Sequence, residues 1–247
     1  MTLIDVFRGV HIAAGGAALG SFWIPMVAPK GGRLHRRAGW VFVVGMAVVS
    51  VTAIAISGYR FVENGRPGAR VAAVLLGYIG VLTGAGAYKG VRVLRTKNRT
   101  ARTQNTWDLA AAGASALLGP PTAAYGIAHG AIIVASFGVL GTVAGLRGLR
   151  YWWRPPQEKM HWWFEHMADM TTTSIAAITA FLVLNAGRLG GGLGGRYALA
   201  VWLGPTVIGV PLLAVWEAYY RRRFAPKPAA APAPAIVVGE AVTAPRS

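Results

Sequence analysis

Gly31-Gly32-Arg33-Leu34-His35-Arg36-Arg37-Ala38-Gly39-Trp40 is the stretch whose reading decides the fold. It packs three arginines and a histidine between two long runs that carry little charge, Leu3–Ala28 and Gly39–Ser57. A basic hinge between apolar runs is the signature of a loop at a membrane surface. The pattern returns as Arg154-Pro155-Pro156-Gln157-Glu158-Lys159-Met160-His161-Trp162, again with a histidine where an apolar run begins.

Composition agrees. Of 247 residues, 54% are hydrophobic and 13% are charged. The mean hydropathy is +0.46. Soluble domains carry about 25% charged residues, so the chain reads as an all-α, polytopic membrane protein. The net charge is +17. Such a charge on a soluble protein would point to nucleic acid; here the basic residues fall between apolar runs, and topology accounts for them. The absence of cysteine excludes disulfides, thiolate metal sites, iron–sulfur clusters and cysteine nucleophiles. Residues 1–8 lack a basic leader, so no cleavable signal peptide is expected.

A membrane helix needs about 20 apolar residues. Seven candidates meet that length: Leu3–Ala28, Gly39–Ser57, Arg70–Tyr88, Trp107–Tyr125, Ile127–Leu146, Trp162–Leu184 and Tyr197–Trp216. No polar loop separates the fourth from the fifth, and one helix from Trp107 to Gly148 would be about 60 Å long, twice the hydrocarbon thickness. The chain is expected to fold back near Tyr125-Gly126. Alternate loops hold 19 of the 25 lysines and arginines, and the other side holds Arg8, Arg60, Arg66, Arg70, Arg188 and Arg196. The excess marks the cytoplasmic side, which puts the N-terminus outside and the C-terminus inside. Trp40, Trp107, Trp152, Trp153, Trp162, Trp163, Tyr219 and Tyr220 would form the aromatic belt at that boundary. The domain spans 1–224, and the Ala/Pro-rich tail, 225–247, reads as disordered and cytoplasmic.

Small residues recur at four-residue spacing in Gly16/Gly20, Gly80/Gly84, Gly86/Gly90 and Gly141/Gly145, as close helix packing in lipid requires. Pro120-Pro121, Pro205 and Pro211 should kink their helices. The run Gly190-Gly191-Gly192-Leu193-Gly194-Gly195 lacks the lysine and strand of a phosphate loop and reads as a flexible outer loop. A weak internal repeat is also expected. The first helix carries His11 and leads to the hinge with His35; the fifth carries His129 and leads to the hinge with His161.

These residues resemble the predicted bacterial membrane-protein family called domain of unknown function 2306. The likeness lies in Val10-His11, in His35-Arg36-Arg37-Ala38-Gly39, and in a later histidine that opens a helix, His161. It covers about Leu3–Ser57. The chain departs from the family at Trp162 and Trp163, where members often carry basic residues. The resemblance implies a multi-pass protein of the bacterial inner membrane and supplies no activity.

Ionisable groups within spans are costly and are candidates for function by default. The sixth span concentrates them. His161, Glu165 and Asp169 recur every four residues on one helical face, with His166 beside it and Thr172 and Thr173 continuing the stripe. Two carboxylates so spaced repel unless one is protonated or a cation lies between them. His161, Glu165, His166 and Asp169 are therefore candidate metal ligands, with His35 reaching in from the second helix. The histidines also suit a b-type haem, which takes two facing imidazoles. His11 with His129 would form an outer pair, and His35 with His161 or His166 an inner one. Asp108 and Glu217 are expected to partner arginines at the boundary.

Three function classes follow. A transmembrane redox carrier with haem b is placed first, a small-solute or proton-coupled transporter second, and a non-haem metal protein third. Expected partners are the lipid bilayer, a further copy of the chain and, for the redox class, an electron donor; nucleic acid is not among them.

Overall fold

The structure, a computed structural model, describes residues 2–63, 65–103, 105–189 and 198–225. Those residues form helices and turns, with no strand among them. Helix α1 (Leu3–Ser21) passes Phe22 and continues as the short α2 (Trp23–Val27). There follow α3 (Arg33–Glu63), α4 (Pro67–Arg92) with a 3₁₀ turn Val93–Arg95, α5 (Thr106–Ala128), α6 (Ile132–Trp153), α7 (His161–Leu189) and α8 (Ala198–Phe224). With α1 and α2 as one span, the described residues hold the seven long helices expected from the sequence. Six are long and apolar enough to cross a membrane. The exception, α5, carries Asp108, three glycines and the pair Pro120-Pro121 among its apolar residues. The glycine run at 190–195 and the tail from 226 lie outside the described residues.

Local chemistry sets the helix ends. Pro67 opens α4 at a position where its missing N–H costs nothing. Asn105 caps α5 by accepting a hydrogen bond from the Trp107 backbone N–H at 2.9 Å. Gly31, at φ +77°, turns the chain between α2 and α3.

The fold-back between α5 and α6 is not at Tyr125-Gly126. It comes at His129-Gly130-Ala131, where Gly130 takes φ +64° and the Ala131 N–H closes on the Gly126 carbonyl at 2.8 Å. This is the left-handed glycine termination of a helix. Gly126 serves a different need: a Cβ there would run into the backbone of Ala135 on α6. The helices touch at that point, so the glycine is kept for contact and the next one makes the turn.

Helices α1, α3, α4 and α7 form a ring, each touching the next, with α7 closing on α1. The α5–α6 hairpin packs on α4, and α8 packs on α7. Glycine contacts hold these interfaces. A Cβ on Gly80 would meet Ala53 and Ile54 of α3 at 3.2 Å. One on Gly86 would meet Thr173 of α7 at 2.6 Å, and one on Gly90 would meet Asp169 at 3.2 Å and Met170. Gly141 and Gly145 lie against Tyr78 and Ala116. Three of the four glycine pairs thus seat a neighbouring helix; Gly16 and Gly20 face open space.

The expected repeat is absent from the packing. In a repeat, α6 would lie along α7 as α1 lies along α3, yet α6 packs on α5 and α4. Nor does His129 belong to the later helix; it caps the end of α5.

The outer surface is apolar. Leu117, Val27, Ile132 and Val62 are among the most exposed side chains, while Ser50, Thr83, Asp108, Ser115, Thr173 and Thr179 are buried. A water-soluble monomer rarely exposes apolar surface on this scale. The distribution fits a bundle whose solvent is lipid and whose backbone polar groups are satisfied within helices.

Candidate functional site

The basic loops gather at one end of the bundle, and α7 starts there with His161. Asp169 lies eight residues, about 12 Å, further along α7. The cation that the Glu165/Asp169 pair requires is Lys89, in the last turn of α4. Its ammonium pairs with Glu165 and lies 3.2 Å from Asp169 Oδ2 and 3.4 Å from Oδ1. All three side chains are at least two-thirds covered. The Tyr151 ring lies 5.1 Å from the ammonium and 4.7 Å from the Arg99 guanidinium.

The charges of this triad do not balance. One ammonium faces two carboxylates, and Asp169 Oδ2 is buried without a hydrogen-bond partner. Its 3.2 Å approach to Lys89 is an ionic contact out of line for a hydrogen bond. The triad therefore has room for one more positive charge.

His166 is turned about 100° from Glu165 on the helix and makes no bond to the triad. Its Nδ1 donates to the Gly90 carbonyl at 2.7 Å. The ring lies 6.3 Å, centre to centre, from that of His35. His35 Nδ1 donates in turn to the Pro25 carbonyl at 3.2 Å, an oxygen that also accepts from Lys30 at 2.7 Å. Burial pushes the Lys30 ammonium below the usual lysine range. Each imidazole thus spends Nδ1–H on a backbone carbonyl, which in the neutral ring leaves the lone pair on Nε2.

His161 is used differently. Its Nε2–H donates to the Lys97 carbonyl at 3.0 Å, and its Nδ1 accepts from the Tyr151 hydroxyl at 2.8 Å. Both nitrogens are engaged, so His161 staples the α4–α5 loop and the end of α6 to the start of α7. His11, on α1 near the opposite end, bonds Thr52 of α3 at 2.8 Å. His129 stacks on Tyr125 at 4.0 Å and bonds its carbonyl. Because α1 shares no contact with α5, the outer pair His11/His129 is not assembled. Of the inner pairings, His35/His166 is brought together. Among the described residues, no three His, Asp or Glu side chains gather as metal ligands. His161, the carboxylates and His166 each serve a different neighbour.

A second charged centre lies beside the first. Asp108 is fully buried, and its carboxylate accepts from Arg92 at 2.9 Å, Tyr88 at 2.7 Å and Thr103 at 2.6 Å. The arginine partner expected for Asp108 is Arg92. Glu217 forms no ion pair among the described residues. Arg99 donates to the carbonyls of Tyr151 at 2.6 Å and of Ala101 and Arg154 at 2.9 Å, tying the α4–α5 loop to the end of α6.

Lys89, Tyr151 and Arg99 escape a reading of the sequence. Lys89 follows the third apolar run and counts there as a loop charge. The signal that could have placed it was the helical pattern running on through Gly90 to Arg92, which puts Lys89 on a helix face.

Comparison with known proteins returns no matching family model, curated protein or solved structure.

Proposed function

We propose that this chain is a multi-pass protein of the bacterial inner membrane, with its N-terminus outside and its basic end in the cytoplasm, that moves a small solute coupled to protons. The observation that carries this reading is the unbalanced triad of Lys89, Glu165 and Asp169. A helix needs no charge to insert, and a buried ion pair stabilises a fold no better than apolar residues of the same volume. An odd carboxylate beside a lysine, inside a span, is a site that binds and releases one proton. The alternation of basic loops supports the orientation. Infrared difference spectroscopy of the purified protein across a pH titration tests the site. A carboxyl band that titrates in the parent should vanish in Asp169→Asn and persist in Glu158→Gln. If no titrating band depends on Asp169, the reading falls.

One observation favours a second reading, a b-type haem held by His35 and His166. The ring centres lie 6.3 Å apart with the planes tilted by 56°, and each ring bonds a carbonyl through Nδ1. Against it, Met170 and Asp169 pack directly on Gly90, whose carbonyl His166 bonds, so α4 and α7 are in close contact beside that ring. A Soret band in the parent, lost in both His35→Ala and His166→Ala, would establish the haem; a colourless protein grown with haem supplied would remove it.

A further inference from the structure

The opposite end of the same ring holds a second proton-accepting group, and its tautomer follows from hydrogen-bond bookkeeping. The Thr52 hydroxyl has one hydrogen. Its oxygen lies 2.7 Å from the Val48 carbonyl and 3.1 Å from the Val49 carbonyl, so that hydrogen goes to the α3 backbone. The 2.8 Å contact with His11 Nδ1 must then be donated by the imidazole. The Val49 carbonyl, 3.1 Å from the Thr52 hydroxyl, also accepts from the imidazole, and in this tautomer of the neutral ring His11 Nε2 carries the lone pair.

An open cleft lies about one helical turn from His11. A cleft of about 440 Å³ opens between α1, α3 and α4, lined by Arg8, Ser57, Arg60 and apolar residues that include Ile56 and Leu76. Arg8 precedes His11 by three residues, so the imidazole lies about one turn below the cleft. In the other direction the ring is closed. Ala18, Met46 and Ala87 are buried together, with Met170 and Ile178 packed on them. Met46 lies six residues, about 9 Å, along α3 from Thr52. Met170 directly follows Asp169. The apolar plug thus separates His11 from the triad.

We infer that His11 and Asp169 are the two ends of one proton path through the ring of α1, α3, α4 and α7, with the Met46–Met170 plug as the barrier between them. The inference rests on the transport reading. A proton entering by the cleft adds to His11 Nε2 and makes an imidazolium; the charged groups at that end are Arg60 and Arg8, the latter 3.8 Å from the Asp5 carboxylate. When the plug admits water, the proton passes to the Asp169 carboxylate and His11 returns to neutral imidazole. Asp169 then releases it toward the basic end, where Lys89, Glu165, His166 and His35 are the neighbouring polar groups. No electron moves, and the path consumes one proton outside for each one delivered inside.

The barrier can be opened on purpose. Met46→Asn puts a water-binding amide in the plug, and Ala87→Ser is the second variant should Met46→Asn not fold. Parent and variants go into phospholipid vesicles with a trapped pH-sensitive dye, an imposed pH gradient and valinomycin with potassium. The polarised variant should dissipate the gradient several-fold faster than the parent. Adding His11→Gln or Asp169→Asn to it should return the rate to that of the parent. A leak that needs Asp169 and ignores His11 overturns the path while leaving the transport reading in place. A leak indifferent to both, or no leak from either folded plug variant, also overturns it. The absence from the parent of any titrating carboxyl band that depends on Asp169 is the separate result that would remove the transport reading itself.

Discussion

Lys89 of α4 and Asp169 of α7 are 80 residues apart in the chain, and their charged atoms lie 3.2 Å apart. The approach is made by glycines. Gly86 and Gly90 leave no room for a Cβ against Thr173, Asp169 and Met170, so the two helix backbones meet where the lysine extends. Small residues bring the helices together in lipid, and the ion triad sets which faces meet.

Removing the lysine should expose that dependence. Lys89→Met leaves two carboxylates buried face to face, and breaking a buried ion pair from one side costs about 3 kcal/mol or more. The variant should melt well below the parent in detergent. Lys89→Met with Glu165→Gln and Asp169→Asn should recover most of the loss, because no unpaired charge remains. A single variant as stable as the parent would show that the triad does not hold α4 to α7.

Asp169→Asn should behave in the opposite way. It keeps the shape, removes the excess charge and leaves Lys89 paired with Glu165. Its melting temperature should match the parent or exceed it, while any proton-linked signal is lost. A marked drop in stability with an intact signal would make Asp169 a structural residue.

Asp108 is the contrasting carboxylate. Three donors converge on it, and charge-assisted bonds to Arg92, Tyr88 and Thr103 account for all of them. Asp108→Asn turns an acceptor-only group into one that presents N–H to donors, and it leaves Arg92 without a counter-ion. A loss of about 3 kcal/mol or more is expected. Little folded protein should be recovered, and Tyr88→Phe should cost about 1 kcal/mol. If Asp108→Asn purifies and melts normally, this cluster is not the anchor of α5.

The glycines divide into two classes that thermal melting can separate. Gly145→Ala drives a Cβ into the backbone of Ala116 and toward the Ala112 carbonyl at 2.8 Å, and should cost about 1–3 kcal/mol. Gly16→Ala and Gly20→Ala meet nothing within 4 Å and should be neutral or stabilising by less than about 1 kcal/mol. Equal effects at the two kinds of site would contradict the packing of α5 on α6.

Arg99 provides a test of geometry against charge. Its guanidinium reaches the carbonyls of Tyr151, Ala101 and Arg154 at once. Arg99→Lys keeps the charge and loses the fork, so it should destabilise nearly as much as Arg99→Ala. A lysine variant with parental stability would mean that charge alone suffices there.

Much of this architecture was legible from residue order. The seven helices, the basic loops on alternate turns, the Asp108–arginine partnership and the need for a cation between Glu165 and Asp169 all follow from local pattern. Hydropathy, helical spacing and charge repulsion act between residues close in sequence, and they need no knowledge of neighbours. The turn between α5 and α6 marks the edge of that information. Gly126 and Gly130 are equivalent as glycines, and only the approach of Ala135 assigns one to contact and the other to the left-handed turn. Which helices became neighbours was decided by tertiary structure alone. In lipid no hydrophobic gradient ranks the faces of an apolar helix, so close fit and buried polar partners choose among them. That choice made Lys89 the cation, set His35 beside His166, left His11 and His129 apart, and engaged both nitrogens of His161.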